Sequence, residues 1–95
     1  MGSYLVRIKV LPTGPDVPSQ TLFESIKGSL ESMMSVRSYK EEPIAFGLYA
    51  LIVDVVSPEE EGMVDRVEKA VSSAEVVAQY ELIGVSRLSS QLKSV

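Results

Sequence analysis

The sequence contains no cysteine. Disulfides, iron–sulfur clusters and thiolate zinc sites are therefore excluded. It contains no histidine either, which removes the commonest general base and the commonest metal ligand. Any catalysis would rest on carboxylates, Lys, Tyr or Ser, and no cofactor and no metal are expected. Long hydrophobic runs are also missing. The longest, Leu48 to Val53, is far too short to cross a bilayer. Arg7 and Lys9 interrupt the first apolar stretch, so the region after Met1 does not read as a signal peptide. Cytoplasm is the expected compartment, with no membrane partner. Positive charge is scarce: nine Lys and Arg face thirteen Asp and Glu, for a formal net charge of −4. Nucleic acid repels such a chain unless its few cations gather on one face. An acidic domain fits a protein partner better.

What is present suits one domain. The chain has 95 residues and is 45% hydrophobic, which is normal for a globular protein and too high for a disordered one. Tyr4 to Leu11 reads as a strand, with Val6, Ile8 and Val10 on one face and Arg7 and Lys9 on the other. Pro12 to Pro18 holds three prolines and a glycine and reads as a rigid loop. A helix is predicted from Ser19 to Met34, capped by Ser19 or by a Thr21/Glu24 capping box. Its apolar stripe is Leu22, Phe23, Ile26, Leu30, Met33 and Met34. Gly28 within it has no sequence reason beyond close packing.

Val36 to Glu42 is a weaker strand, with Tyr39 inward. Pro43 ends regular pairing because it has no N–H. Leu48 to Val56 is the strongest strand, with Leu51, Val53 and Val55 on one face and Ala50, Ile52 and Asp54 on the other. After a break at Ser57 to Gly62, a second helix runs to about Ala74, striped by Val64, Val67, Val71 and Ala74 with Met63 and Ala70 in support. Val76 to Leu88 contains the last strand, with Tyr80 and Leu82 expected in the core. Ser89 to Val95 is polar and expected to be mobile. The order βαββαβ predicts an α+β, ferredoxin-like fold: a four-stranded antiparallel sheet with two helices on one face. Right-handed crossovers would set the first and last strands side by side at its centre.

The informative stretch is Glu41-Glu42-Pro43-Ile44-Ala45-Phe46-Gly47-Leu48. A joint between strands is normally polar, yet this one offers Ile44 and Phe46. Gly47 permits positive φ or a close approach to another surface. Composition alone favours Phe46 folded back to plug the end of the core, since apolar side chains are mostly buried.

This octet closely resembles the signature of the nucleotide-exchange domain in the beta subunit of translation elongation factor 1. The archaeal form of that family is a free-standing domain of about this length. The resemblance extends over nearly the whole chain. Ile8-Lys9-Val10-Leu11-Pro12 with Pro15-Asp16-Val17 looks like the family's first strand and loop. Pro58 with Glu60-Glu61-Gly62 matches its acidic turn, and Val85, Arg87 and Leu88 its ending. The resemblance implies one exchange-factor domain over residues 1–95. It implies a partner, the GTP-binding alpha subunit of elongation factor 1, and acceleration of GDP release so that GTP can reload. It implies contact through the loop between the second and third strands, with Ile44, Ala45 and Phe46 touching the partner and Pro43 and Gly47 shaping the loop. It also implies a role for the C-terminal end, where Arg87 is the better candidate. In eukaryotic members a Lys near the chain end reaches toward the partner's magnesium site. Lys93 stands near that place but out of register. Gly84 and Ser86 depart from the family pattern, which has an Asp and an Arg there.

Other residues receive plainer readings. Glu59, Glu60 and Glu61 form a solvated helix start. Glu41 and Glu42 point to opposite faces of a strand and cannot pair as acid and base. Met33 and Met34 close the helix end of the core. Arg7 and Lys9 on the open sheet face could bind something acidic, but the plainer reading is that they solubilise that face and discourage edge pairing. Two rival functions share this fold. An RNA-binding module would need stacking aromatics and a basic sheet; the other rival is a small-molecule sensor or a small hydrolase, and the lack of His, of Cys and of a phosphate-cradling glycine loop speaks against the hydrolase.

Overall fold

Alternation in the first strand sets the architecture. In a computed structural model of the chain, which describes residues 2–89, β1 spans Gly2–Pro12 and buries Val6, Ile8 and Val10 completely. The other elements are α1 (Ser19–Ser29), β2 (Ser35–Pro43), β3 (Tyr49–Pro58), α2 (Met63–Ser72) and β4 (Val77–Ser89). The sheet order is β2-β3-β1-β4, with every neighbouring pair antiparallel. This is the ferredoxin-like α+β sandwich that the element order predicts. Leu51, Val53 and Val55 of β3 join the β1 valines and isoleucine beneath Leu22 and Ile26 of α1 and Met63, Val67 and Val71 of α2. The helical layer covers that face, and the opposite face of the sheet is open.

The centre of the sheet differs from expectation. β1 and β4 are adjacent, but β1 shares the centre with β3, and β4 is an edge. Each βαβ crossover skips one strand position, and the other crossover's strand fills it. Edge placement also explains why Tyr80 and Leu82 are exposed and not core. The helices do not reach over them, and the Tyr80 hydroxyl instead donates to Glu68 Oε1 of α2 at 3.2 Å.

The first helix stops five residues earlier than predicted, at Ser29. The Ser29 hydroxyl lies 2.9 Å from Ile26 O and 2.8 Å from Ala70 O. Such local side-chain bonding competes with helix continuation, and here it also ties the helix end to α2. Met34 is buried beyond the helix, whereas Met33 is exposed and rests against Arg66, its sulfur 3.7 Å from Nη2. Arg66 also pairs with Glu31. The anticipated capping box is not formed. Pro18 occupies the N-cap without a side-chain bond, and the Gln20 amide donates to Glu24 Oε2 at 2.8 Å. Gly28 faces open space, so close packing does not account for it. Tyr39 turns to the helical side, and its ring stacks on Phe23 at 4.1 Å between centroids. The stack fixes the otherwise exposed β2 to α1.

Candidate partner-binding site

The link between β2 and β3 is a tight hairpin. The Ile44 N–H donates to Leu48 O at 2.9 Å, and the Leu48 N–H donates to Ala45 O at 2.8 Å. The two central residues, Phe46 and Gly47, have φ of 55° and 78°. Positive φ at both positions with that closing bond defines a type I′ turn, which matches the twist of the flanking strands. Gly47 suits its position. Phe46 does not: the left-handed region costs a residue with a Cβ about 1–2 kcal/mol. No burial offsets that cost, because Phe46 is 97% exposed. Ile44 and Leu48 flank it, each partly exposed. Burial of Phe46 against the core, the outcome composition favours, is therefore not what the chain does. The hairpin is too short to let the ring turn back.

β2 extends through Pro43, which sits in register with Tyr49. It is an edge strand, the place in a sheet that tolerates a residue without an N–H. Tyr49 is buried and its hydroxyl donates to Val17 O at 2.7 Å. Burial pushes its pKa up, with Glu41 adding to the shift. That bond binds the Pro12–Pro18 loop to the base of the hairpin, so the exposed tip stands on a fixed foundation.

Arg87 lies at the opposite end of the sheet. It pairs across from Tyr4, which in turn faces Ser57. Along β3, the rows of Tyr49 and Ser57 are roughly 26 Å apart at about 3.3 Å per residue. The molecule measures 44 × 26 × 18 Å, so Pro43, Ile44, Ala45, Phe46 and Gly47 come together while Arg87 does not join them. Arg87 is engaged in an ion pair, its Nη2 lying 2.8 Å from Glu59 Oε2. Glu59 is therefore not a purely solvated charge, although Glu60 and Glu61 are exposed. Lys93 lies outside the described residues, as do residues 90–95 of the expected mobile tail, whereas Ser89, expected to begin that tail, is the last residue of β4 and pairs with Gly2.

The open face carries a feature that sequence reading missed. Arg7 donates from Nε to Asp54 Oδ1 at 2.8 Å and from Nη2 to Asp54 Oδ2 at 2.9 Å, and the Ser38 hydroxyl lies 3.3 Å from Oδ2. The Arg7 hydrogen bonds hold the Asp54 carboxyl below its usual range, against the opposing effect of burial, with Ser38 and Arg37 assisting. Arg7 and Asp54 both fall at outward positions of alternating strands, so the signal was present. What was absent was the register that sets them opposite each other. Two bulges flank the pair, one in each edge strand. Arg37 is the extra residue in β2 and Ile83 the extra residue in β4.

The hairpin thus presents an apolar, backbone-strained tip on an anchored base. A family model described as the EF-1 guanine nucleotide exchange domain matches residues 5–88. The chain belongs to that family, and the resemblance read from the octet is borne out.

Relatives named elongation factor 1-beta match along nearly their full length. That of Methanococcus maripaludis is 37% identical over 87 residues, covering 90% of this chain and 98% of the relative. That of Methanocaldococcus jannaschii is likewise 37% identical over 87 residues, with the same coverage. That of Thermoplasma acidophilum is 33% identical over 86 residues, covering 90% of this chain and 98% of its own. Among the described residues, no helix is long and apolar enough to cross a membrane.

Proposed function

We propose that this chain is a guanine-nucleotide exchange factor that promotes replacement of GDP by GTP on the GTP-binding alpha subunit of elongation factor 1 during protein synthesis in the cytoplasm. Family membership supports the class of activity. The observation that carries the site is the 97% exposure of Phe46 in a left-handed conformation. A strained, exposed aromatic side chain contributes nothing to folding, and such strain gathers where a surface is kept ready for a ligand.

The mechanism is a linkage. The factor makes and breaks no covalent bond. It binds the nucleotide-free partner more tightly than the GDP-bound one, so it must weaken GDP binding by the same ratio. Magnesium and the phosphate-binding loop carry most of the charge in a GTPase site and are the elements to disturb. Phe46, with Ile44 and Ala45 beside it, acts as an apolar wedge, and Pro43 and Gly47 set the shape of the turn. Arg87 and Lys93 belong to the other end of the sequence, and Arg87 stands away from the tip. They would act at a second point of contact.

The RNA-binding rival is disfavoured by the central strands. Their aromatic residues, Tyr4 and Tyr49, both lie on the helical side, leaving no ring on the open face for a base to stack on. The test is release of labelled GDP from the cognate alpha subunit. The chain should accelerate it, and Phe46→Ala should remove most of the acceleration. Unchanged release with Phe46→Ala at saturating factor would overturn the wedge, and full activity after deletion of residues 90–95 would remove Lys93 from the mechanism.

A further inference from the structure

The hairpin tip is a small contact. Phe46 is almost fully exposed and Ile44 and Leu48 partly so. Together they offer on the order of 300–400 Å². A specific, stable interface buries roughly 800 Å² on each partner. A partner seated on the tip must cover further surface beside it. Two surfaces adjoin the tip: the helical layer and the open sheet face.

Charge distinguishes them. The open face carries Arg7, Lys9, Arg37 and Lys40 against Glu42, Asp54 and Glu81, a balance of +1 in a chain whose net charge is −4. The remainder of the molecule is correspondingly more acidic. Arg7 is neutralised by Asp54, whereas Arg37 and Lys40 enter no ion pair among the described residues. The bulges add to this row. One brings Arg37 beside Asp54, and the other brings Ile83, which is 49% exposed, beside Arg7. Bulges in edge strands re-aim side chains and recur next to functional sites. Between the two bulges lies a hollow of about 500 Å³ whose lining mixes Arg7 and Lys40 with Glu42 and Asp54 and adds the aliphatic side chains of Ile52 and Ile83.

We propose that this open sheet face is a further part of the docking surface, beside the tip and in addition to the contact proposed for Arg87, and that it receives an acidic, aliphatic surface of the same GTP-binding partner. The inference rests on the exchange reading above and deepens it. The absence of aromatic rings and the interspersed carboxylates disfavour nucleic acid. A second copy fits poorly. Two open faces would set like charges against each other, and an open face on another copy's helical layer would be a head-to-tail contact, which builds rings or filaments and not a simple pair.

The experiment titrates the rate of labelled GDP release from the alpha subunit against factor concentration. The variants are Arg37→Glu/Lys40→Glu, Ile83→Ser and a helical-layer control, Lys27→Glu/Lys69→Glu. The open-face double variant should raise the half-saturating concentration about tenfold without lowering the maximal rate, because surface charges act chiefly on encounter and docking. The difference should shrink in high salt. Ile83→Ser should raise it a few-fold at any salt, and the control should stay within about twofold of the parent chain. An open-face variant within twofold of an active parent, or a control shifted as far as it, overturns the inference while leaving the exchange reading intact. A parent chain that does not accelerate release overturns both. Should the double variant fail to fold, Ile83→Ser decides alone, since its side chain is exposed at the sheet edge.

Discussion

Replacing Phe46 with asparagine should make the protein more stable and less active. The turn holds Phe46 at a φ of 55° and Gly47 at 78°, and asparagine followed by glycine is the pair such a turn prefers. The left-handed conformation costs phenylalanine about 1–2 kcal/mol, and asparagine recovers much of this. At 97% exposure the ring contributes no burial that the change would forfeit. A gain of about 1 kcal/mol is expected, which in a domain of this size raises Tm by about 4–8 °C. Activity should move the other way. Burying a phenylalanine side chain in a partner is worth about 1.5–3 kcal/mol, or roughly 10- to 150-fold in exchange efficiency below saturation. Thermal unfolding followed by circular dichroism reads the first quantity and labelled-GDP release reads the second. If Tm fell, the strain argument would be wrong. If Tm rose and exchange were undiminished, the tip would not be the contact.

The remaining predictions concern the foundation of the site. Tyr49→Phe removes the bond to Val17 O beneath the hairpin and should cost about 1 kcal/mol in urea unfolding. Leu51→Ala opens the fully buried centre of the sheet and should cost about 2–5 kcal/mol, enough to threaten folding in a domain this small. Asp54, whose pKa is lowered in the folded state by Arg7, contributes stability above its unfolded pKa, and this is lost as pH falls through its folded value. The difference in urea midpoint between the parent chain and Asp54→Asn should therefore be constant near neutrality and shrink below about pH 4. Persistence of the full difference in strong acid would contradict the ion pair.

Much of the fold was legible because it rests on local periodicity. Val6, Ile8 and Val10 alternate with Arg7 and Lys9, and the buried face follows directly. The helix end at Ser29 was not legible. It depends on a hydroxyl that sits against Ala70 O, a carbonyl forty-one residues away in sequence. Tyr80 and Leu82 were misjudged because their sequence pattern is that of a core strand, while exposure depends on β4 being an edge. At the site, the octet identified the segment but not its geometry. Whether Phe46 turned inward or outward depended on a turn so tight that both central residues take positive φ.

By itself, the sequence determined the order of elements, which side of each central strand is apolar, and the absence of histidine and cysteine chemistry. Those properties belong to single residues or to neighbours a few positions apart. The tertiary structure decided which strands form edges, that Asp54 meets Arg7, that Arg87 meets Glu59 far from the tip, and that the bulges gather Arg37 and Ile83 onto one face. Each of these is a pairing between distant segments. Strand register creates them, and register is set by the packing of the whole sheet rather than by any stretch within it.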